Sequence, residues 1–205
     1  MTEEQFKNST MFKAAVKILE NSGLVIFPTE TVYGLAAKID KPDAIRKIYD
    51  IKKRERNKPL SVLVSNKNQV KEVAKIDDEL LDRIFENFWP GPLTVVLPKK
   101  ENVSDLVTAG KETIGVRMPK NKIALSIIEA SEMPLATTSV NVSGQEPAKT
   151  FEEAMEFKDL ADLIIDGGKC DLGVPSTVCE INEGSLKILR EGIIKEEELR
   201  EKLML

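Results

Sequence analysis

The stretch that decides the fold reads Leu24-Val25-Ile26-Phe27-Pro28-Thr29-Glu30-Thr31-Val32-Tyr33-Gly34-Leu35. Its first four residues form a run that is too short and too uniformly apolar for an exposed helix, which predicts a buried strand. Polar side chains follow immediately, at the point where that strand ends. Because loops on a rigid scaffold commonly carry function, this arrangement predicts a polar cleft at the strand end.

Outward from this stretch, apolar runs alternate with segments that have apolar residues at helical spacing. A first helix is predicted to begin at Ser9 or Thr10 and to end at Gly23. Further helices are predicted over 43–53, 78–88, 123–130, 151–157 and 195–203. Strands are predicted over 24–27, 60–64, 93–97, 113–118, 135–140, 163–166, 178–181 and 185–189.

The order of these elements predicts the fold class. Strands and helices alternate without a long Gly, Pro or Ser-rich linker, which indicates one α/β domain over residues 1–205. The last two strands are predicted to pair as a hairpin around Asn182-Glu183-Gly184, so some pairing is antiparallel. We therefore expect a twisted, mixed parallel and antiparallel sheet with flanking helices.

The composition is typical of an ordinary soluble protein. The chain is 41% hydrophobic and 31% charged, which lies in the normal range for globular domains. No stretch approaches the about 20 apolar residues of a membrane span, and the acidic N-terminus lacks the apolar core of a signal peptide. We therefore expect a cytoplasmic protein with no membrane partner.

The absence of histidine from the sequence restricts the chemistry. Ser-His-Asp and Cys-His catalysis are excluded, as is acid–base work by imidazole. Cys170 and Cys179 lack the paired spacing of a zinc site, so we expect two free thiols. An enzyme built on this chain must use carboxylates, lysines, arginines, hydroxyls and a hard metal ion.

A basic segment over residues 46–58 contrasts with the net charge of −4 for the whole chain. Within it, Lys52 and Arg54 lie two apart near a predicted helix end, where both can point into one cleft. Arginine offers a forked donor to phosphate and lysine a mobile point charge. The segment indicates either an anionic ligand such as a phosphate chain or a solvated helix end.

Three further polar residues lie on predicted strands or directly after one. Ser139 and Asn141 lie two apart, so they share a face and can contact one ligand; local bonding to the backbone is the alternative. Arg117 lies in an otherwise apolar strand and needs an anionic partner, which is either a substrate carboxylate or a Glu or Asp of the chain. No P-loop or Gly-x-Gly-x-x-Gly motif occurs, so a nucleotide would be held by side chains.

Four motifs, in one order, resemble those of the YrdC family of threonylcarbamoyl-AMP synthases. They are the stretch 28–35, Lys52-Lys53-Arg54, Ser139-Val140-Asn141 and Pro175-Ser176-Thr177-Val178. The resemblance covers nearly the whole chain and implies a YrdC-like fold. It also implies that the chain forms L-threonylcarbamoyl-AMP and pyrophosphate from L-threonine, bicarbonate and ATP. A separate transferase would then use the product to modify tRNA.

The resemblance implies roles for individual residues. Lys52 and Arg54 would be catalytic. The implied ATP contacts are Arg54, Lys58, Thr113, Ser139, Asn141, Pro147 and Arg190. The implied L-threonine contacts are Thr31, Arg117, Thr137 and Ser176. Mg²⁺ would arrive with ATP, so no residue is expected to hold a metal. The sequence departs from the family at Lys58, where many relatives have asparagine, and at Leu63, where some have histidine.

Two other functions stay open. YrdC-like domains have been regarded as RNA-binding modules, but the acidic net charge and the 5% aromatic content reduce that expectation to weak RNA binding. Carbamoyltransferases of the hydrogenase-maturation type contain a related domain. Those proteins also carry acylphosphatase and zinc-finger domains, which do not fit within 205 residues. Since the chain ends at Leu205, the resemblance is to the single-domain synthases.

Overall fold

The computed structural model describes residues 3–142 and 145–205. The strands are β1 (Val25–Phe27), β2 (Gly34–Lys38), β3 (Ser61–Leu63), β4 (Leu93–Pro98), β5 (Thr113–Arg117), β6 (Leu135–Ser139), β7 (Leu163–Ile164), β8 (Thr177–Asn182) and β9 (Ser185–Arg190). The α-helices are α1 (Glu3–Lys7), α2 (Thr10–Glu20), α3 (Pro42–Ile51), α4 (Lys67–Val73), α5 (Asp78–Asn87), α6 (Asp105–Thr108), α7 (Lys122–Ala130), α8 (Phe151–Met155) and α9 (Glu196–Leu203).

The strands form one mixed sheet. Within the described ranges its order is β7-β1-β2-β6-β3-β5-β4-β8-β9. The pairs β1–β7, β3–β5 and β4–β8 are parallel, and the remaining neighbours are antiparallel. The predicted hairpin is present as β8 and β9, and the predicted α/β class with a mixed sheet is confirmed.

Two hydrophobic clusters cover the two faces of the sheet. In β1, the alternating side chains of Val25 and Phe27 belong to the smaller cluster, whereas Ile26 belongs to the larger one. The larger cluster packs under α3, α5 and α9, and the smaller under α1, α2 and α7. Full burial of one such apolar side chain contributes about 1.5–3 kcal/mol, so both clusters stabilise the sheet. The smaller cluster leaves part of its face open.

Side-chain caps fix where several helices begin. Ser9 accepts a hydrogen bond from the backbone of Phe12 and starts α2, which selects Ser9 over Thr10 as the cap. Asp77 caps α5 and Asn121 caps α7 in the same way. Thr150 begins α8 with a reciprocal capping box. Each such cap is worth about 1 kcal/mol, and the predicted helix starts lie within two residues of those observed.

Strand β2 and helices α1, α4 and α6 were not predicted. Strand β2 reads Gly-Leu-Ala-Ala-Lys, which has neither a polar alternation nor β-branched residues to mark it. It becomes a strand because β1 and β6 flank it and supply its backbone partners on both sides. This is tertiary pairing overriding a weak local preference. None of the helices in the described ranges has the length and apolar character needed to cross a bilayer.

Candidate active site

A cavity of about 320 Å³ lies on the open part of the sheet face next to the smaller cluster. All four sequence motifs contribute to its wall. Of the twelve predicted site residues, nine line it: Thr31, Arg54, Arg117, Thr137, Ser139, Asn141, Pro147, Ser176 and Arg190. Leu63 lines the cavity and also belongs to the smaller cluster, so the cavity begins where apolar packing on this face stops.

Close approach of β2 to β6 shapes one wall. Gly34 faces Ser139 across the two strands, and a Cβ atom at Gly34 would lie only 2.9 Å from Thr137 Cγ2. The Thr137 hydroxyl donates to the carbonyl of Leu135, 3.1 Å away. A ligand can therefore approach the Thr137 hydroxyl only as a donor.

The loop between β1 and β2 is held by its own hydroxyl groups. Thr29 Oγ1 donates to the carbonyl of Val32 at 2.7 Å and accepts from the backbone N–H groups of Thr31 and Val32. Its Oγ1 also lies 2.8 Å from Thr31 Oγ1. The Tyr33 hydroxyl donates to the carbonyl of Gly168 at 2.8 Å, and burial raises the pKa of Tyr33 to about 12. The loop is thus a fixed wall, with Tyr33 neutral in it.

Arg117 finds a carboxylate partner within the chain. Its Nη2 lies 2.7 Å from Glu30 Oε1, its Nη1 donates to Thr31 Oγ1 at 2.9 Å, and its Nε donates to the carbonyl of Gly91 at 3.2 Å. The sequence left open a substrate carboxylate or an internal Glu or Asp as the partner. The structure shows the internal pair, while Arg117 also lines the cavity. We call Glu30, Thr31 and Arg117 the paired end.

The Lys52 motif and the Ser139-Val140-Asn141 motif meet directly. Lys52 Nζ donates to Asn141 Oδ1 at 2.8 Å and to the carbonyl of Ser139. Ser139 Oγ donates to the same Asn141 oxygen at 2.9 Å. Burial, and secondarily the charge of Arg54, lower the pKa of Lys52 to about 8. Lys52 therefore stands behind the cavity wall and orients two residues that line it.

The end of α3 explains how Lys52 and Arg54 come to face the same region. Helix α3 ends at Ile51 and Lys52 is its C-cap. Lys53 then adopts a left-handed conformation, with φ of 46°, and the N–H of Arg54 bonds back to the carbonyl of Tyr49 at 2.9 Å. A left-handed residue of this kind terminates a helix and reverses the chain. The turn brings Arg54 to the cavity wall beside Lys52.

Two arginines add positive charge to the cavity. Arg54 donates to the carbonyl of Pro59 at 2.8 Å, and Arg190 donates to the carbonyl of Ser176 at 2.8 Å. Burial lowers the pKa of both guanidinium groups, and the charge of Arg117 lowers that of Arg190 further. Arginine nonetheless stays protonated in proteins. We call Lys52, Arg54 and Arg190 the cationic end for their charge; Arg190 lies close to the paired end, since it also donates to Ser176 Oγ at 3.1 Å and its pKa is lowered by Arg117.

Besides Lys52, two predicted site residues lie away from the cavity wall. Lys58 is exposed and its Nζ pairs with Glu55 Oε1 at 2.7 Å; only its carbonyl contributes, by accepting from Arg54. Thr113 begins β5 opposite Pro98, so it lies at the end of the strand far from Arg117. Their proposed contacts with ATP stay predictions.

Several residues at the wall or directly behind it were missed by the sequence reasoning. Thr94 Oγ1 lies 2.8 Å from Ser176 Oγ, and both are buried at the cavity. Ser61 lines the cavity from β3. Glu30 was quoted in the deciding stretch but given no role. The available signal for Glu30 was an arginine in need of an anion together with a carboxylate in a strand-end loop.

The two ends differ in net charge, and that difference sets the chemistry. The cationic end suits a phosphate chain, because its charges are bonded to neutral carbonyls. At the paired end, the charge of Arg117 is already matched by the carboxylate of Glu30. Among residues 3–142 and 145–205, no group of three or more His, Cys, Asp or Glu side chains is placed to bind a metal. Cys170 and Cys179 are buried free thiols.

Comparisons with known proteins agree with the geometry. A family model described as telomere recombination, Sua5_yciO_yrdC, matches residues 17–192. The threonylcarbamoyl-AMP synthase of Pyrococcus abyssi is 40% identical over 91% of this chain and 55% of its own length. A Methanocaldococcus jannaschii protein, provisionally named for the same activity, is 40% identical over 95% of this chain and 90% of its own length.

A solved structure has the same fold. The crystal structure of P. abyssi Sua5 complexed with L-threonine superposes with a TM-score of 0.89 at 38% identity. The match covers 93% of this chain and 56% of that one. The chain thus spans about half the length of the P. abyssi protein and most of the M. jannaschii one.

Proposed function

This chain belongs to the Sua5/YciO/YrdC family, and on that premise we propose that it is a threonylcarbamoyl-AMP synthase. The reaction joins L-threonine, bicarbonate and ATP into L-threonylcarbamoyl-AMP and releases pyrophosphate. One observation carries the proposal: a single cavity joins a cationic end to a paired end that can receive an amino acid. The family resemblance drawn from the four motifs is confirmed.

L-Threonine would bind at the paired end. Arg117 lines the cavity, and its Nη1, which donates one N–H to Thr31 Oγ1, carries a second N–H that would meet a substrate carboxylate. Ser176 and Thr137 offer hydroxyl groups on the same wall. The P. abyssi relative solved with L-threonine supports this choice of substrate.

ATP would bind at the cationic end. Arg54 and Arg190 would neutralise phosphate oxygens, and Ser139 and Asn141 would contact the nucleotide after Lys52 has oriented them. Pro147 lines the cavity beside them. Mg²⁺ would be brought by ATP and would neutralise phosphate charge when bound. The arginines and hydroxyls of the wall suit phosphate groups rather than a protein-held divalent ion.

The protein would act mainly by positioning and by charge. The threonine nitrogen and bicarbonate first condense to a carbamate with loss of water. A carbamate oxygen then attacks the α-phosphorus and pyrophosphate leaves. Such a step requires alignment, neutralisation of developing charge and exclusion of water from a labile carbamate. A chain without histidine can supply all three.

The product would pass to a separate transferase that modifies tRNA, and we place this reaction in the cytoplasm. The alternative is that the chain itself binds RNA weakly. A filter-binding assay with a salt series separates the two, because phosphate-driven binding falls steeply as salt rises. Adenylate formation without measurable RNA retention would favour the enzyme alone.

The direct test is pyrophosphate release by the purified chain. Release should require L-threonine and bicarbonate together, because Arg117 binds a carboxylate and the wall offers hydroxyl partners. Labelled bicarbonate should appear in the adenylate product. Equal release with glycine, or without any amino acid, would contradict the proposed reaction.

A further inference from the structure

Glu30 lies behind Arg117 and is almost completely buried, at 3% exposure. Its Oε1 is 2.7 Å from Arg117 Nη2. Within residues 3–142 and 145–205, neither carboxylate oxygen has an aligned hydrogen-bond donor. The contact is therefore one of charge. A buried carboxylate without hydrogen bonds is unfavourable, so its position beside a cavity-facing arginine requires an explanation.

Fixing Arg117 in place is not a sufficient explanation. Arg117 is already anchored by Thr31 Oγ1 through Nη1 and by the carbonyl of Gly91 through Nε. Stability is not sufficient either, because the desolvation of a buried ion pair roughly cancels its attraction. What Glu30 adds beyond these contacts is one negative charge, immediately behind the guanidinium.

That charge makes the surroundings of Arg117 differ from those of Arg54 and Arg190. Arg54 and Arg190 are bonded to backbone carbonyls, so their positive charges remain uncompensated. Arg117 and Glu30 together carry no net charge. A ligand with only negative charge is therefore favoured at the cationic end and gains little at the paired end.

We propose that Glu30 is a specificity-determining residue that selects a zwitterionic amino acid over a simple anion at Arg117. This inference rests on the proposed function, in which Arg117 receives the amino-acid carboxylate. The ammonium group of an amino acid is attracted by the Glu30 charge, which offsets the repulsion felt by its carboxylate. A hydroxy acid or a phosphate lacks the ammonium group, so it has no attraction to Glu30 that would offset the repulsion. Glu30 would thereby keep phosphate groups off the amino-acid site.

Isothermal titration calorimetry on the full chain tests this without requiring turnover. The two probes are L-threonine and 3-hydroxybutanoate, which keeps the carboxylate and the hydroxyl but lacks the ammonium group. Wild type should bind L-threonine at least about 10-fold more tightly than 3-hydroxybutanoate. In Glu30→Gln, which keeps the shape and removes the charge, this ratio should fall by about 10-fold or more.

The matched control is Glu79→Gln. Glu79 pairs with Arg83 on the exposed surface of α5, so its neutralisation should leave the ratio unchanged. If Glu30→Gln weakens both ligands equally, Glu30 only supports the packing and the proposal is overturned. A structural role lowers both affinities together, whereas the proposed role changes their ratio.

Wild type alone decides the question if Glu30→Gln does not fold. A clear preference for L-threonine supports the proposal, and equal affinity for the two probes overturns it, as does a failure to bind L-threonine at all. Wild type that binds L-threonine but releases no pyrophosphate contradicts the proposed reaction only. In that case the ratio of the affinities for L-threonine and 3-hydroxybutanoate still tests the proposed role of Glu30.

Discussion

The paired end and the cationic end hold their arginines in different ways. At the paired end, Arg117 faces the carboxylate of Glu30 at 2.7 Å, so its charge is matched inside the protein. At the cationic end, Arg54 and Arg190 are bonded to backbone carbonyls, which fix their direction and leave their charge available. The comparison teaches that a carbonyl orients an arginine for a ligand, whereas a carboxylate also decides which ligand it can take.

The largest expected effect is on stability, at the paired end. Replacing Arg117 with alanine leaves Glu30 buried and unpaired, which should lower the free energy of unfolding by about 3–5 kcal/mol. The control Arg46→Ala breaks an exposed pair with Asp43 and should cost about 1 kcal/mol or less. Urea unfolding measures both.

A second variant shows whether the pair or the lost packing is responsible. Adding Glu30→Gln to Arg117→Ala removes the stranded charge, so part of the lost stability should return. If the double variant is as unstable as Arg117→Ala alone, the loss reflects packing around the guanidinium and the two ends are held alike.

At the cationic end, the expected effect is on ligand affinity. Arg54→Ala would remove the proposed charge-assisted contact to phosphate, worth about 1.5–3 kcal/mol, so ATP affinity should fall by about 10-fold or more. Arg56 is exposed and pairs with Asp50 at 2.6 Å, so Arg56→Ala should change ATP affinity little. Calorimetry measures both affinities. If both changes lower ATP affinity equally, the basic segment acts only through its summed charge and Arg54 has no specific contact.

The Lys52 network should show an intermediate effect. Asn141 Oδ1 accepts from both Lys52 and Ser139, so the double change Ser139→Ala and Asn141→Ala leaves a buried ammonium short of an acceptor. We expect loss of adenylate formation together with a cost of about 1–3 kcal/mol. Removal of polar groups that were merely exposed at a cleft would cost only about 0.5 kcal/mol or less.

Activity and melting temperature measured on one preparation separate the two roles of this network. Abolished adenylate yield in protein that is still folded supports the contact with ATP. Protein that is destabilised but keeps its activity would mean that Ser139 and Asn141 serve only to satisfy Lys52. The cationic end would then depend on its arginines alone.

Features of the site that depend on neighbouring residues could be predicted from the sequence, whereas those that depend on tertiary contacts could not. The hydroxyl-rich loop, the helix caps and the two-residue spacing of Ser139 and Asn141 are short-range features, and all were predictable. The partner of Arg117 was not, because choosing Glu30 requires knowing which loop contacts the end of β5. Strand β2 was not predicted for the same reason. Its pairing with β6 makes it a strand, and Gly34-Leu35-Ala36-Ala37 shows no alternation of apolar and polar residues.

The two residues placed outside the cavity show the complementary limit. Family position assigned Lys58 and Thr113 to the nucleotide, but in the structure neither side chain lies at the wall. Lys58 lies in the loop after α3, where its side chain pairs with Glu55. A motif specifies residue types in an order. Which of them reach a shared cavity depends on where each turn ends.

The smallest expected effect is the pH dependence of the cationic end. Because the pKa of Lys52 is lowered to about 8 by burial and by Arg54, its ammonium loses its proton in the folded chain well before it does in the unfolded one. The unfolded state then binds more protons above pH 8, so the contribution of Lys52 to stability rises from about pH 8 to about pH 10.5. ATP affinity should fall over the same rise in pH as the charge is lost.

Two buried thiols change the pH dependence of stability in the opposite direction. The quantity to measure is therefore the difference in unfolding free energy between wild type and a Lys52→Met variant. Burial raises the pKa of Cys170 to about 11 and that of Cys179 to about 12, so stability is lost as pH rises from the ordinary thiol range toward those values. Subtracting the variant's unfolding free energy at each pH removes these shared contributions. This difference in unfolding free energy should rise between pH 8 and pH 10 while the ATP affinity of wild type falls. A difference that does not change with pH would mean that Lys52 keeps an ordinary pKa and that the cationic end is charged throughout.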